Sequence, residues 1–308
     1  MLIIQAPIIL SNASRNLLFF TAVLVSRVPF LFEGYGLDGD AWGVALSAIK
    51  LKFTGAYEVS RFPGYPVQEF LSSLAVTDHY FTLNLLTAVV SSLGVLFFVL
   101  ALKELRFRAP YLAGAAFAAV PVFYINSTLP LDYTYALSFQ LAAFYLLTLR
   151  RSLAAGLVMG LAIGTRITAA VVMVPFLLIL VNEEGLRVNL LRMLRFMLPA
   201  FLVGVFCYFP VYNVYGWEFL TYYDVPYPSL SRVLYKFFVE VWGIPGMVAI
   251  LLGILFLLLP GDGRRVEHLF PRSVGLRHIT AWIIAIDLYI IAFVKLPMEA
   301  GYLLPIVP

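Results

Sequence analysis

The chain has 308 residues, of which 62% are hydrophobic and only 12% are charged. Soluble domains contain roughly 45–50% apolar and about 25% charged residues, so this composition excludes an ordinary soluble protein and predicts an integral membrane protein. The formal net charge of +4 then reflects how the chain is oriented in a membrane, and we expect no nucleic-acid partner. Since Cys207 is the single cysteine, a disulfide within one chain is excluded.

Apolar runs of membrane-spanning length recur along the whole chain. We predict seven full spans, near residues 16–32, 80–102, 111–129, 133–149, 196–215, 238–259 and 279–294. The run at 152–181 is too long for one span and is interrupted by Gly164-Thr165-Arg166. The predicted fold class is therefore an all-α polytopic integral membrane protein with a single transmembrane domain at 1–308. No cleavage site follows the first run, so we expect it to be retained, and residues 297–308 read as the entry to a further span.

Lysine and arginine clusters predict the orientation of these spans, because positive residues favour the cytoplasmic side. The clusters are Lys103, Arg106 and Arg108; Arg150 and Arg151; Arg187, Arg192 and Arg195; and Arg264, Arg265, Arg272 and Arg277. If all four are cytoplasmic, residues 152–181 must enter and leave by the same face. That predicts a helical hairpin whose two short helices meet at Arg166, a cytoplasmic N-terminus, and a first outer loop at 33–79.

This first outer loop carries the most polar residues near the end of a predicted span. Asp38 and Asp40 lie there, where carboxylates are costly unless they face water or a partner. Residues 40–52 are too short and too charged to cross, and we predict that they form a helix along the outer surface. Arg61 follows, just before the stiff turn Pro63-Gly64-Tyr65-Pro66.

Five segments, taken in this order, resemble the GT-C superfamily of membrane glycosyltransferases, in particular its protein-mannosyltransferase and aminoarabinose-transferase-like branch. They are Gly39-Asp40, the turn at 60–66, Ser127-Thr128-Leu129-Pro130-Leu131-Asp132, the broken run at 160–166, and Glu299-Ala300-Gly301-Tyr302-Leu303-Leu304-Pro305. The chain departs from many relatives at two positions. Ala41 follows Asp40 where many have Glu, and Gly301 stands where many have Arg or Lys.

The resemblance implies transfer of a sugar from a polyprenyl-phosphate carrier to a glycan, lipid or protein acceptor outside the cytoplasm. Such transfer needs a base for the acceptor proton and cations for the phosphate. Asp40 is the expected base, with Asp38 binding the acceptor or, together with Asp40, a divalent metal, although no cofactor is required. Arg61 and Arg166 are the expected donor-phosphate ligands. Expected substrate-binding residues are Trp42, Tyr65, Asp132, Glu299 and Tyr302.

Simpler roles remain open for each of these residues. Asp38 and Asp40 could cap the following helix, and Arg61 could reach lipid headgroups. Arg166 could have no role beyond an ion pair with Asp132 or Glu240. Most outer aromatic residues favour an interfacial belt over sugar stacking; they include Trp42, Tyr57, Tyr65, Tyr222, Tyr223 and Tyr227. A transporter built on the broken helix, with Asp287 and Glu240 as coupling charges, and a non-catalytic GT-C-like scaffold are the other function classes. The expected location is the prokaryotic plasma membrane with the site outside, or alternatively the endoplasmic reticulum membrane.

Overall fold

The computed structural model describes residues 11–221, 226–258, 271 and 273–308, and in this part the chain is helical with no strand. The predicted all-α class is thereby confirmed for the described residues. The α-helices are α1 Asn12–Val25, α2 Gly39–Thr54, α3 Pro66–Ala75, α4 Phe81–Glu104, α5 Pro110–Ala119, α6 Pro121–Asn126, α7 Asp132–Thr148, α8 Ser152–Thr165, α9 Met173–Leu180, α10 Leu186–Tyr215, α11 Leu230–Leu234, α12 Val241–Leu258 and α13 Leu276–Lys295. Short 3₁₀ segments cover Val28–Phe30, Ile167–Val172, Gly216–Leu220 and Ala300–Ile306, and a π-helical segment covers Tyr235–Glu240.

Among the described residues, four helical segments are long and apolar enough to cross a membrane. They are Phe81–Glu104, Leu186–Leu220, Leu230–Phe256 and Leu276–Lys295. The other predicted spans correspond to shorter helices: α1 has 14 residues, α5 and α6 have 10 and 6, and α7 has 17. The structure therefore supports a membrane protein, and the count of seven full spans is not confirmed.

The predicted span at 111–129 is broken into two helices. Val120 leaves the helical conformation, with ψ at 127°, because a proline disfavours the α conformation of the residue before it. Helix α12 also has a break, since Gly243 adopts φ 66° and ψ 166°. The two breaks touch, because a Cβ on Gly243 would lie 3.0 Å from Cγ of Pro121. Two apolar segments besides the run at 152–181 are therefore broken.

The predicted break at Gly164-Thr165-Arg166 is present, and the run at 152–181 folds back on itself. Arg166 is extended between α8 and the 3₁₀ segment that leads into α9. Helix α8 runs in the same direction as α10, and the ring of Phe176 in α9 returns to within 6.2 Å of Phe196 in α10. The direction follows from three glycines, because a Cβ on Gly156, Gly160 or Gly164 would collide with Phe196, Val203 or Cys207, respectively.

The basic clusters lie at the opposite end of the bundle from Asp132. Helices α4 and α7 run side by side in the same direction, because Thr87 is 3.1 Å from the hydroxyl of Tyr135 and the ring of Phe97 is 6.1 Å from that of Tyr145. The basic residues that follow α4 and α7 therefore share one end, and Asp132 opens α7 at the other. Of the fourth cluster, Arg264, Arg265 and Arg272 lie outside the described residues.

Helix α2 has one face against the bundle and one apolar face exposed. The buried residues are Ala41, Val44, Ala45 and Ala48, and the exposed ones are Trp42, Leu46, Ile49 and Phe53. The exposed residues recur at helical spacing and form one stripe. A stripe of this kind is what a helix lying on a membrane surface needs, so the predicted placement of 40–52 stands as an expectation.

The orientation can be tested with single cysteines in a Cys207→Ala background. Leu37 and Leu186 are both highly exposed and lie near opposite ends of the bundle. We expect a membrane-impermeant maleimide to label Leu37→Cys in intact cells, and to label Leu186→Cys only after lysis. The Cys207→Ala parent is the unlabelled control. Labelling of both variants from the outside would contradict the predicted orientation.

Candidate functional site

The loop that carries Arg61 is fixed from below by a buried carboxylate. Glu69, in the first turn of α3, is fully buried. It accepts hydrogen bonds from the backbone N–H and the hydroxyl of Ser60 at 2.7 Å each, from the N–H of Tyr65 at 3.3 Å, and from the Tyr57 hydroxyl. Buried carboxylates are stable when their oxygens are satisfied in this way. Glu69 therefore holds both ends of the loop around Arg61.

A second set of contacts fastens the same loop to α10. The Phe62–Pro63 peptide bond is cis, and Gly64 follows with φ at +91°, a region that favours glycine. A Cβ on Gly64 would also press on Val211 of α10, at 3.2 Å. The hydroxyl of Tyr208 donates to the Gly64 carbonyl at 3.1 Å. The loop is thus held at a defined height along α10.

Four charged side chains form a continuous ion-pair chain at this end of the bundle. Arg61 donates through Nη2 to Oδ1 of Asp132 at 2.7 Å, and Arg166 donates through Nη1 to Oδ2 of the same carboxylate. The other terminal nitrogen of Arg61, Nη1, lies 3.0 Å from Oδ2 of Asp40. Two carboxylates and two guanidinium groups therefore alternate in the order Asp40, Arg61, Asp132, Arg166.

Access to this chain of charges is from the Asp40 end. The side chain of Asp132 is 0% exposed, those of Arg166 and Arg61 are 12% and 18% exposed, and that of Asp40 is 34% exposed. A molecule that approaches from solvent therefore meets Asp40 and the outer edge of Arg61 first. Asp132, predicted to bind substrate, is inaccessible and instead positions the two arginines. The alternative reading of Arg166 as a partner of Asp132 agrees with this geometry.

Three tyrosine rings pack against the arginines. The Arg61 guanidinium lies 4.3 Å from the ring centre of Tyr65, and the Arg166 guanidinium lies 4.3 Å from that of Tyr133 and 5.2 Å from that of Tyr302. Such stacking holds the planar guanidinium groups in a defined orientation. The Tyr133 hydroxyl is buried and has no hydrogen-bond partner within the described part of the chain.

Gly301 has no room for a side chain. A Cβ there would lie 2.9 Å from three atoms of the Tyr133 ring. The arginine or lysine that the family resemblance expects at this position is therefore sterically excluded while Tyr133 is in place. Arg166 brings a positive charge to the same neighbourhood, because it stacks on both Tyr133 and Tyr302.

The two predicted catalytic carboxylates have different surroundings. Asp38 is the N-cap of α2 and accepts a hydrogen bond from the N–H of Asp40 at 2.9 Å, so the capping alternative holds for Asp38. Asp40 points to Arg61. Burial raises the pKa of the Asp40 carboxyl, and this outweighs the opposing attraction of Arg61. A raised pKa makes the Asp40 carboxylate a stronger base than an ordinary aspartate.

Other predicted residues lie outside this cluster. Trp42 is on the exposed face of α2, and its indole N–H donates to the Gly36 carbonyl at 3.1 Å. Glu299 is about half exposed and lies 4.0 Å from the Lys236 ammonium. Tyr222 and Tyr223 lie outside the described residues. Within the described ranges no group of three or more His, Cys, Asp or Glu side chains is placed to hold a metal ion, so a metal at Asp38 and Asp40 stays a prediction.

Sequence reasoning missed two residues that build the site. Sequence reasoning gives no role to Glu69, although an acid in the first turn of a helix that begins with a proline is a local sign of backbone contacts. Tyr133 had no sequence signal beyond its position next to Asp132.

Comparison of the chain with protein-family models, curated proteins and solved structures finds no match. The chemistry of the cluster is therefore the basis on which a function can be assigned.

Replacing the buried Asp132 carboxylate should reduce stability far more than replacing an exposed carboxylate that also pairs with two arginines. We expect Asp132→Asn to lower the free energy of unfolding by about 3–5 kcal/mol, because two buried guanidinium groups lose their counter-charge. Glu184 is a matched control, since it also contacts two arginines, Arg150 at 3.6 Å and Arg192 at 2.5 Å, but is 45% exposed. Glu184→Gln should cost no more than about 1 kcal/mol. Denaturant unfolding in detergent micelles measures both, and equal losses would contradict the central role of Asp132.

Proposed function

We propose that this chain is a membrane glycosyltransferase that moves a sugar from a polyprenyl-phosphate carrier to an acceptor on the non-cytoplasmic face. One observation carries the proposal: the accessible carboxylate of Asp40 lies 3.0 Å from the Arg61 guanidinium at one end of an apolar helical bundle. A lipid-linked phosphate keeps its charge at headgroup depth. Both a base and a cation are therefore needed at that depth.

The two carboxylate partners of Arg61 differ in how easily a ligand can displace them. Asp132 is buried and also held by Arg166, whereas Asp40 is partly exposed. A donor phosphate that arrives from the membrane surface competes only with Asp40 for Arg61, and arginine binds phosphate oxygens in a fork geometry. Phosphate binding would thus release the Asp40 carboxylate from its ion pair. The released carboxylate is then free to take a proton.

The chemical step balances with these groups alone. The acceptor hydroxyl oxygen attacks the anomeric carbon, its proton passes to Asp40, and the bond from that carbon to the phosphate oxygen breaks. The phosphate leaves with the bonding electrons, and Arg61 stabilises its negative charge. Arg166, on the far side of Asp132, adds a second positive charge to the electrostatic stabilisation. One direct displacement inverts the anomeric centre, whereas retention usually needs a second, nucleophilic carboxylate. Asp38 is committed to its helix cap, which favours inversion.

An apolar groove beside the cluster supports a lipid-linked donor. The groove has a volume of about 450 Å³ and runs between α3 and α10. Its lining is Pro66, Val67, Phe70, Leu71, Leu74, Phe206, Cys207, Phe209 and Pro210. It begins next to Tyr65, whose ring stacks on Arg61. A phosphate on Arg61 would therefore leave its hydrocarbon chain next to an apolar surface.

Finer features complete this proposal. Tyr302, which stacks on Arg166, and the exposed residues Glu299 and Trp42 would contact the sugar or acceptor. Tyr65 would orient Arg61. The shorter helices α1, α5 with α6, and α7 would complete seven spans in a GT-C-like arrangement. The site would face the outside of a prokaryotic plasma membrane, or the lumen if the membrane is that of the endoplasmic reticulum. No cofactor is required for this chemistry.

A transporter is the second candidate, favoured by the contact between the helix breaks at Pro121 and Gly243. Paired broken helices are common in transporters. The transporter reading assigns Asp287 and Glu240 as coupling charges, and both are exposed. Sodium- or proton-driven uptake by reconstituted vesicles, retained in an Asp40→Asn variant, would favour a transporter over the transferase.

Loss of the base should remove most of the transferase activity. We expect Asp40→Asn to lower kcat for transfer from a polyprenyl-phosphate sugar by about 10²–10⁴-fold, the usual contribution of a general base. Asp78→Asn, an exposed acid of the same outer loop, is the control and should keep wild-type activity. The wild-type product should have the inverted anomeric configuration. Full activity of Asp40→Asn would remove Asp40 as base, and a retained configuration would remove the single-step mechanism.

The pH dependence of activity should report the raised pKa of Asp40. The base works only when deprotonated, so kcat/KM should fall as the pH drops through that pKa, at a pH above the ordinary aspartate value of about 3.9. Burial raises this pKa and Arg61 lowers it. Arg61→Gln should therefore move the acid limb of the residual activity to higher pH. An acid limb that does not move in Arg61→Gln would contradict the assignment.

A further inference from the structure

A separate small cavity lies where the start of the Leu230–Phe256 segment meets the loop after α13. It has a volume of about 260 Å³ and includes Arg232, Lys236 and Met298 in its lining, with Pro226, Pro228 and Pro297. None of the residues of the Asp40–Arg61–Asp132–Arg166 cluster lines it. The lining contains two cations and no carboxylate, so the cavity differs in charge from the site described above.

The Lys236 ammonium is buried with few partners. Lys236 is 7% exposed, and its ammonium donates to the Met298 carbonyl, while Oε2 of Glu299 lies 4.0 Å away. An ammonium has three donors, so these partners leave part of its hydrogen-bonding capacity unused. A buried cation is costly unless it is paired and hydrogen-bonded. An anion in the cavity would supply what is missing.

Arg232 adds a second charge at the same cavity. It lies one helical turn before Lys236, and residues four apart share one face of a helix. Its side chain is exposed, and within the described residues it has no ion pair. The two cations therefore converge on one space, as the ligands of an anionic group do.

The cavity is preformed and small. Three prolines in its wall have fixed φ angles, and the hydroxyl of Tyr227, another lining residue, donates to the Val294 carbonyl at 2.8 Å. Its volume is below the range of about 300–1,000 Å³ that is typical of drug-sized ligands. It therefore fits a single compact anion or headgroup.

We propose that this cavity binds a phosphate group, held by Lys236 and Arg232. The proposal goes beyond sugar transfer and does not depend on it, because it uses other residues. The phosphate is either a free ion or the headgroup of an anionic lipid, since Lys236 lies near the start of a segment long enough to cross a membrane. Both sources present the same oxygens to an ammonium and a guanidinium group.

The test is calorimetric titration of the detergent-solubilised protein with inorganic phosphate and with a short-chain phosphatidic acid. The Arg61→Gln protein is used as the parent, because it lacks the cation proposed to hold the donor phosphate. We expect saturable binding to this parent. Adding Lys236→Met or Arg232→Gln should each weaken binding by about tenfold or more, the effect of one lost charge-assisted hydrogen bond. Lys295→Gln, an exposed lysine outside the lining, is the matched control and should bind as the parent does.

The outcomes separate the sources and the alternatives. Stronger binding of phosphatidic acid than of phosphate assigns the site to a lipid headgroup, and the reverse assigns it to the free ion. Absence of saturable binding to the parent, or parent-like affinity in either cavity variant, overturns the proposal. Thermal unfolding checks that each variant is folded. If the Lys236→Met variant is not folded, the affinity of the variant with the exposed substitution Arg232→Gln decides the question alone. The activity of the Asp40→Asn variant does not bear on this test, because the cavity and the proposed transferase site share no residue.

Discussion

One buried carboxylate, that of Asp132, joins three distant parts of the chain. Its two oxygens bind Arg61 from the loop between α2 and α3 and Arg166 from the break after α8. A single carboxylate shared between two guanidinium groups leaves a surplus of one positive charge. Asp40 is the partner that compensates for this surplus at the accessible edge. The orientation of both arginine side chains therefore depends on Asp132, although Asp132 itself cannot be reached from solvent.

The buried polar groups of the site are stabilised by the backbone around them. Asp132 lies in the first turn of α7, where free N–H groups favour a negative charge. Arg166 lies at a point where helical structure stops, which allows its side chain to turn towards Asp132 and the tyrosines. Glu69 keeps the Arg61 loop in place through four hydrogen bonds. The site is thus assembled from helix ends and a tight loop, and the non-helical backbone is packed against α3, α7 and α10.

The sequence predicted the helical class and the break at Arg166 because both follow from local composition and charge. It also raised the cap at Asp38 and the pair of Arg166 with Asp132 as alternatives, and these are the contacts present. It missed the break at Val120, although Pro121 was a local signal, because the apolar run around it looked continuous. It could not find Tyr133, since periodicity identifies the residues of a helix but not the helix ends that meet. Contacts between positions far apart in the chain need the tertiary structure.

The packing of Gly301 on Tyr133 links the segment before Tyr302 to the buried ion pairs. A Cβ at 301 would lie 2.9 Å from the Tyr133 ring, so any larger residue there would have to displace that ring. The same ring stacks on Arg166, which binds Asp132. A substitution at Gly301 would therefore change the orientation of an arginine more than 130 positions away in the chain, through a single aromatic ring.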